Sequence, residues 1–283
     1  MAWVRSLLVI PATLSASLVV ACGASSNRPS KAALTALTQA AYVTTREPGF
    51  EFTMKVTANR GGQSAAVTGA GMSADGGREG TMTMAINGRT LTLLARWPYV
   101  YVPAIVAPAV WGLPNTTGGK PWVRANYLVY NQPVGANLGG TDPILALNAI
   151  KATGRVTAVG AQSVNGVPTT HYHALVDANR IISTVPSARR AAARQYAQTL
   201  RRATGSTTLP IDVWIDANQH VRRITLHLQV CVPGGKLDES TTFDIVRYHN
   251  PPTVRVPPAS QFTDITDRLK TKTSQALKQL PGC

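Results

Sequence analysis

The chain has 283 residues, 28 Lys and Arg against 13 Asp and Glu, a net charge of +15, and 44% hydrophobic residues. This is enough apolar material for one large domain with a substantial core. No P-loop, dinucleotide fingerprint or Ser-His-Asp spacing occurs, so the sequence carries no catalytic motif.

The first segment fits an export signal. Arg5 supplies a positive start, and Ser6 to Val20, "SLLVIPATLSASLVV", is mostly apolar. At roughly 15 residues it falls short of the ~20 that a membrane-crossing helix needs. Pro11, Thr13, Ser15 and Ser17 weaken it further as a permanent span. Val19-Val20-Ala21-Cys22 resembles the bacterial lipobox, in which the cysteine thiol takes a diacylglyceryl group and the chain is cut just before it. Residues 1–21 are therefore expected to be a lipoprotein signal peptide, Cys22 the acylated first residue, and 22–30 a flexible tether. Palmitate-length chains suit this role, because each buried methylene adds about 0.8 kcal/mol and a single chain anchors only marginally. The remainder, 31–283, reads as a single domain on the extracytoplasmic face of the cell membrane. Beside such a membrane the basic balance points to anionic headgroups, at about 1 kcal/mol per cation, rather than to nucleic acid. With Cys22 acylated, Cys231 and Cys283 are left as an even pair in an oxidising compartment, and a disulfide is expected.

Along the chain, "SKAALTALTQAAYVTT" predicts a helix capped by Ser30, with Leu34, Leu37 and Ala41 on one face. Glu47-Pro48-Gly49 ends it, and period two takes over. Phe50, Phe52, Met54 and Val56 alternate with polar residues, and Met82, Met84 and Ile86 do the same. Asn87-Gly88 marks a hairpin turn into "TLTLLAR". Further strands follow at "YVYV", "KPWVRA", "RVTAVGAQSV" and "VPTTHYHALVD", the last two turning at Asn165-Gly166. "LPIDVWIDANQHVRRITLHLQVCV" is another hairpin, and "STTFDIVRYH" closes the series. About ten or eleven strands joined by short turns predict an antiparallel meander. Helices are expected at "TDPILALNAIKAT", at "SARRAAARQYAQTLRRAT" and at "TDRLKTKTSQALKQL".

On "VRRITLHLQVCV", Ile224, Leu226, Leu228, Val230 and Val232 share one face, which must be covered. Three or four modest helices are few for some ten strands. The sheet either curls until its own side chains fill the interior, or curls around a cavity that the helices roof. Composition does not separate the two. "VPAIVAPAVWGLPNTTGG", apolar yet rich in Pro and Gly, reads as a flap or a covering loop.

"GVPTTHYHALVD", a helix and then "LPIDVWIDANQHVRRI", together with "GGKPWVRA" and the order lipobox, tether, helix, "FEFTMKV" strand, resemble the actinobacterial lipoproteins of the LppX/LprA/LprF/LprG type. The resemblance covers nearly the whole chain after the signal. It implies an α+β fold like that of the carrier LolA: a strongly curved antiparallel half-barrel with helices on its concave side. It also implies an apolar cavity that takes an acylated lipid or glycolipid for envelope transport, without catalysis or cofactor. The implied partners are the lipid ligand, the membrane and an acceptor protein that the sequence does not identify; the chain is expected to be a monomer. Cavity lining then falls to Phe50, Phe52, Met54, Met82, Met84, Ile86, Leu226 and Leu228. On "SARRAAARQYAQTLRRAT", the helical spacing gathers Arg190, Arg194 and Arg201 on one flank, either for headgroup or membrane contact or simply as a solvated face. The competing reading is a non-carrier interaction module with a filled interior and a basic surface. His171 and His173 share a strand face but lack further ligands nearby in sequence, so no metal is expected. Asp212 and Asp216, flanking Trp214, are expected on the outer, solvated face.

Overall fold

The computed structural model describes residues 28–86, 89–106, 108, 113, 117–126, 129, 143–184, 190–232 and 235–279. Cys22, Cys283, the Asn87-Gly88 turn and much of the 102–119 flap lie outside them. The expected α+β architecture is observed, as an open, mostly antiparallel sheet of twelve strands with helices on its inward side.

Helix α1 (Lys31–Arg46) begins as expected: Ser30 is extended, and its hydroxyl accepts from the Ala33 amide at 3.0 Å. Its buried face is Ala33, Leu37, Ala40, Ala41 and Thr44. Strands β1 (Gly49–Arg60), β2 (Gln63–Ala74), β3 (Glu79–Ile86), β4 (Arg89–Arg96), β5 (Tyr99–Pro103) and β6 (Trp122–Asn126) follow as one meander. Helix α2 (Pro143–Ile150) leads into a second meander: β7 (Thr153–Val164), β8 (Val167–Asp177), β9 (Thr208–Asp216), β10 (Val221–Val232) and β11 (Gly235–Tyr248). Two helices, α3 (Ala178–Thr184) and α4 (Arg190–Thr204), are inserted between β8 and β9. Last come β12 (Phe262–Asp264) and α5 (Thr266–Gln279).

The strand order β12-β6-β5-β4-β3-β2-β1-β11-β10-β9-β8-β7 corrects the single meander expected from sequence. Two meanders meet where β1 pairs with β11, and β12 pairs in parallel with β6. Two hairpin tips use left-handed backbone: Gly61 and Gly62 at φ 55° and 82°, Asn165 and Gly166 at φ 50° and 81°.

Helices α1, α2 and α4 pack over β7, β9 and β10, and α5 over β6. The helix faces that meet the sheet are rich in alanine: Ala33, Ala40 and Ala41 on α1, Ala146 and Ala149 on α2, Ala193, Ala197 and Ala203 on α4. On α4, Ala193, Ala197, Leu200 and Ala203 are buried and Tyr196 is half-buried.

Candidate functional site

On one strand of the sheet the inward side chains vanish. On β2 the inward positions opposite Phe52 and Met82, and opposite Met54 and Met84, are Gly71 and Gly69. A Cβ on Gly71 would strike the Thr81 carbonyl and come within 2.9 Å of Phe52 Cζ; on Gly69 it would lie 3.1 Å from Met84 Cγ. Side chains from β1 and β3 therefore close over β2 from both sides.

The structure brings the expected lining residues together. Phe50, Phe52, Met54, Met82, Met84, Leu226 and Leu228 all face inward, are buried, and belong to one continuous apolar cluster with Leu37, Leu147 and Leu200 of the helices. Ile86 ends β3, and its side chain lies outside the described set. Edge-to-face contacts run from Tyr248 through Phe50 and Phe52 to Phe243, with ring centres 6.1–6.2 Å apart.

One end of this groove is locked. The Tyr248 hydroxyl donates to the Val221 carbonyl at 2.5 Å, and its ring stacks on His220 at 4.5 Å. Burial pushes the Tyr248 phenol well above its usual range, which keeps it a donor. His220 Nε2 meets Glu47 Oε1 at 2.8 Å, and the Thr44 hydroxyl accepts from the Val221 amide at 3.0 Å. The C-terminal turn of α1 is thereby fixed to the sheet.

Where α4 ends there is instead an opening. A cleft of about 490 Å³ lies between Thr204, Ser206 and Thr208 on one side and the β10–β11 hairpin on the other. Leu228 and Glu239, which face the groove, and His227, Asp238 and Ser240, which face outward, all border it. Glu239 is buried on the inward face directly opposite Leu228. Hydroxyls, amides and two carboxylates thus rim the end of an apolar surface.

The outward face carries a charge cluster centred on Asp212. Its Oδ1 is 2.8 Å from His171 Nε2 and 3.2 Å from His173 Nδ1, and its Oδ2 is 3.0 Å from His227 Nε2. Burial pushes the Asp212 carboxyl up, but the hydrogen bonds and charge of His171 and His173 outweigh it and hold it below the usual value. His171 stacks flat on Trp214 at 4.3 Å. The three imidazoles point at the carboxylate, and among the described residues no group of three ligating side chains is arranged for a metal ion. Asp216 is not solvated as expected. It is buried, takes the amides of Asn218 and His220, and binds Arg222 at 2.6 Å. Sequence reading paired His171 with His173 but missed His227 and Asp212 as their partners. Alternation on β10 did place His227 outward, whereas the register across β8, β9 and β10 was not readable.

Arg190, Arg194 and Arg201 are exposed on α4. Cys231 lies on β10. Cys22 and Cys283 are outside the described residues.

No family model matches the chain. An uncharacterized 31.2 kDa protein from the rplA–rplJ intergenic region of Streptomyces griseus is 31% identical over 109 residues, 36% of this chain and 35% of that protein. The match thus spans about a third of that relative's length. Among solved structures, LprF from Mycobacterium bovis aligns with a TM-score of 0.45 at 16% identity, over 82% of this chain and 100% of LprF. The Mycobacterium tuberculosis lipoprotein LppX aligns at 0.45 and 14% identity, over 79% and 98%. A LolA superfamily protein from Nitrosomonas europaea aligns at 0.33 and 9% identity, over 82% and 97%. The chain is similar to these proteins, and its own strand order defines its fold.

Proposed function

We propose that this chain is an extracytoplasmic lipoprotein, anchored through an acylated Cys22. In this reading it holds an acylated lipid or glycolipid between the inward face of its sheet and its helices, and hands that lipid on across the envelope. The observation that carries the reading is the contrast between the two walls of the interior: a broad, unbroken apolar sheet face, and helices that pack on β6, β7, β9 and β10 with small alanines beside Leu37, Leu147, Ile150 and Leu200. Burial free energy scales with apolar area, at about 25 cal/mol per Å². The strands on which no described helix packs to that extent, β2–β5, therefore offer apolar area against which an acyl chain can lie. Each methylene gains about 0.8 kcal/mol over water. Against a bilayer interior the exchange is nearly even, which suits a carrier that must also release.

The rim of the cleft favours a glycolipid. Thr204, Ser206, Thr208 and Ser240 offer hydroxyls, and Asp238 and Glu239 add carboxylates. Sugar hydroxyls pair with both kinds of group, whereas a phosphodiester is repelled by the second. A bond between Cys231 and Cys283 belongs to the same proposal; it would tie the C-terminal tail to β10.

A second reading, the non-carrier module with a filled interior, draws on the burial of Phe50, Phe52 and Met54 at 2–4% exposure. Native mass spectrometry of protein purified from its own membranes, followed by organic extraction, separates the two. The carrier reading expects a co-purifying acyl lipid in acylated and Cys22→Ala forms alike. Its absence from both forms favours the filled module.

A further inference from the structure

Two groups of arginines stand apart. Five on the strands have carboxylates beside them: Arg96 with Glu79 at 3.1 Å, Arg124 with Asp264 at 2.6 Å, Arg222 with Asp216 at 2.6 Å, Arg223 with Asp244 at 2.5 Å and Arg247 with Glu51 at 2.6 Å. Arg190, Arg194 and Arg201 on α4 have no ion pair among the described residues, and neither α3 nor α4 contains an acidic residue. At about 100° per residue the three project within about 40° of one another. They form one edge of the helix, beside the alanine face that meets the sheet.

The chain enters the fold at β7, which α3 links to α4. The Ser30 amide donates to the Val156 carbonyl at 3.0 Å. Three residues away on β7, the Thr153 carbonyl accepts from Arg180 of α3 at 3.0 Å. Helix α3 packs on α4. Arg28, Lys31 and Arg155 are exposed at the same entry point. Seven residues lie between Cys22 and Ser30, and the eight extended steps span at most about 28 Å.

We propose that the Arg190, Arg194 and Arg201 edge of α4 is the surface on which the protein lies against anionic phospholipid headgroups of the membrane that holds it. The inference rests on the reading of Cys22 as the anchor, and it adds an orientation. Unneutralised guanidiniums face phosphate, to which they bond in a forked geometry. The short tether keeps them within reach. The carboxylate-paired strand face, already neutralised, is turned elsewhere.

The test uses the acylated chain, its anchor confirmed by the mass of its N-terminal peptide, reconstituted in two vesicle types. One contains phosphatidylglycerol; the other is phosphatidylcholine alone. Arginine modification by phenylglyoxal is read residue by residue. The proposal expects Arg190, Arg194 and Arg201 to react roughly fivefold more slowly on the anionic vesicles, the factor that corresponds to about 1 kcal/mol per cation at such a surface. Protection should fade in high salt, while Arg247 reacts alike on both. Equal reactivity of the three on both vesicles overturns the proposal. Equal, salt-insensitive protection on both also overturns it, since crowding by the anchor would then suffice. Shielding of the three by duplex DNA but not by anionic vesicles overturns it too. Amide exchange of α4 supplies a second readout: its vesicle dependence should vanish in R190Q/R194Q/R201Q and persist in the Arg→Lys triple variant. Lipid extraction without cargo leaves these outcomes standing, and unchanged arginine reactivity leaves the cargo reading standing.

Discussion

The two halves of the sheet solve the same covering problem differently. Over β7, β9 and β10 the helices α1, α2 and α4 lie on the inward face, and the strands there answer with branched side chains, Ile211, Val213 and Ile224, with Phe243 beside them on β11, none more than 1% exposed. Over β2–β5 no described helix packs to a comparable extent. There Met82 and Met84 on β3 and Leu91 and Leu93 on β4 point inward beside the bare backbone of Gly69 and Gly71, with Val100 and Val102 beyond them on β5. Unbranched methionine suits a surface whose partner changes. In the proposed carrier the helix-covered half would be the frame, and the strip of Met82 and Met84 the adaptable wall.

That contrast can be broken most strongly at its rigid side. Phe243→Ala removes a fully buried ring opposite Ile224 of the helix-covered strand β10 and should cost about 3–5 kcal/mol in urea unfolding. Met84→Leu, a volume-conserving change on the adaptable side, should cost less than about 1.5 kcal/mol. It should still alter which acyl chains co-purify, as read by mass spectrometry. If the two substitutions destabilise equally, the distinction between frame and wall fails. Gly71→Ala probes the close packing over β2. Its methyl group meets the Thr81 carbonyl and Phe52, and a loss of about 3 kcal/mol is expected, seen as a lower denaturant midpoint. The smallest effect belongs to the outward cluster. The carboxyl of Asp212 is held below its usual value in the fold, so its contribution is fully present above the unfolded value near 4 and is lost as pH falls through the folded one. Asp212→Asn should remove that part of the acid slope of stability, by less than about 1 kcal/mol for a carboxylate in partial contact with water. An unchanged slope would show that the histidines do not stabilise the ionised form.

Alternation of apolar residues made most strands visible beforehand, and capping residues made α1 and α2 visible. What escaped is instructive. Strand β2 has the sequence "QSAAVTGAGMSA", whose small residues show no period of two, because the fold needs inward positions there that occupy almost no space. Strand β12 has only three residues, and its partner β6 lies more than a hundred positions earlier. Helix α3 is a seven-residue connector with too few turns to display a face. The inward, buried placement of Phe50, Phe52, Met54, Met82, Met84, Leu226 and Leu228 was legible because burial acts on each strand separately. The Asp212 cluster was not, because it depends on the register among three strands, which only the assembled sheet sets.

The seam between β1 and β11 has a bearing on how the molecule comes into being. Phe50 lies opposite Tyr248, and the ion pair between Glu51 and Arg247 joins positions 196 apart. A polypeptide made from its N-terminus therefore displays the unpaired rim of β1, with its phenylalanines, until almost the last stretch has been synthesised. Such distant pairing slows folding and leaves a sticky border exposed in the interval. Maturation of this protein is thus governed by the late arrival of one strand, and shielding of the early half during that wait is part of what its architecture demands from the cell.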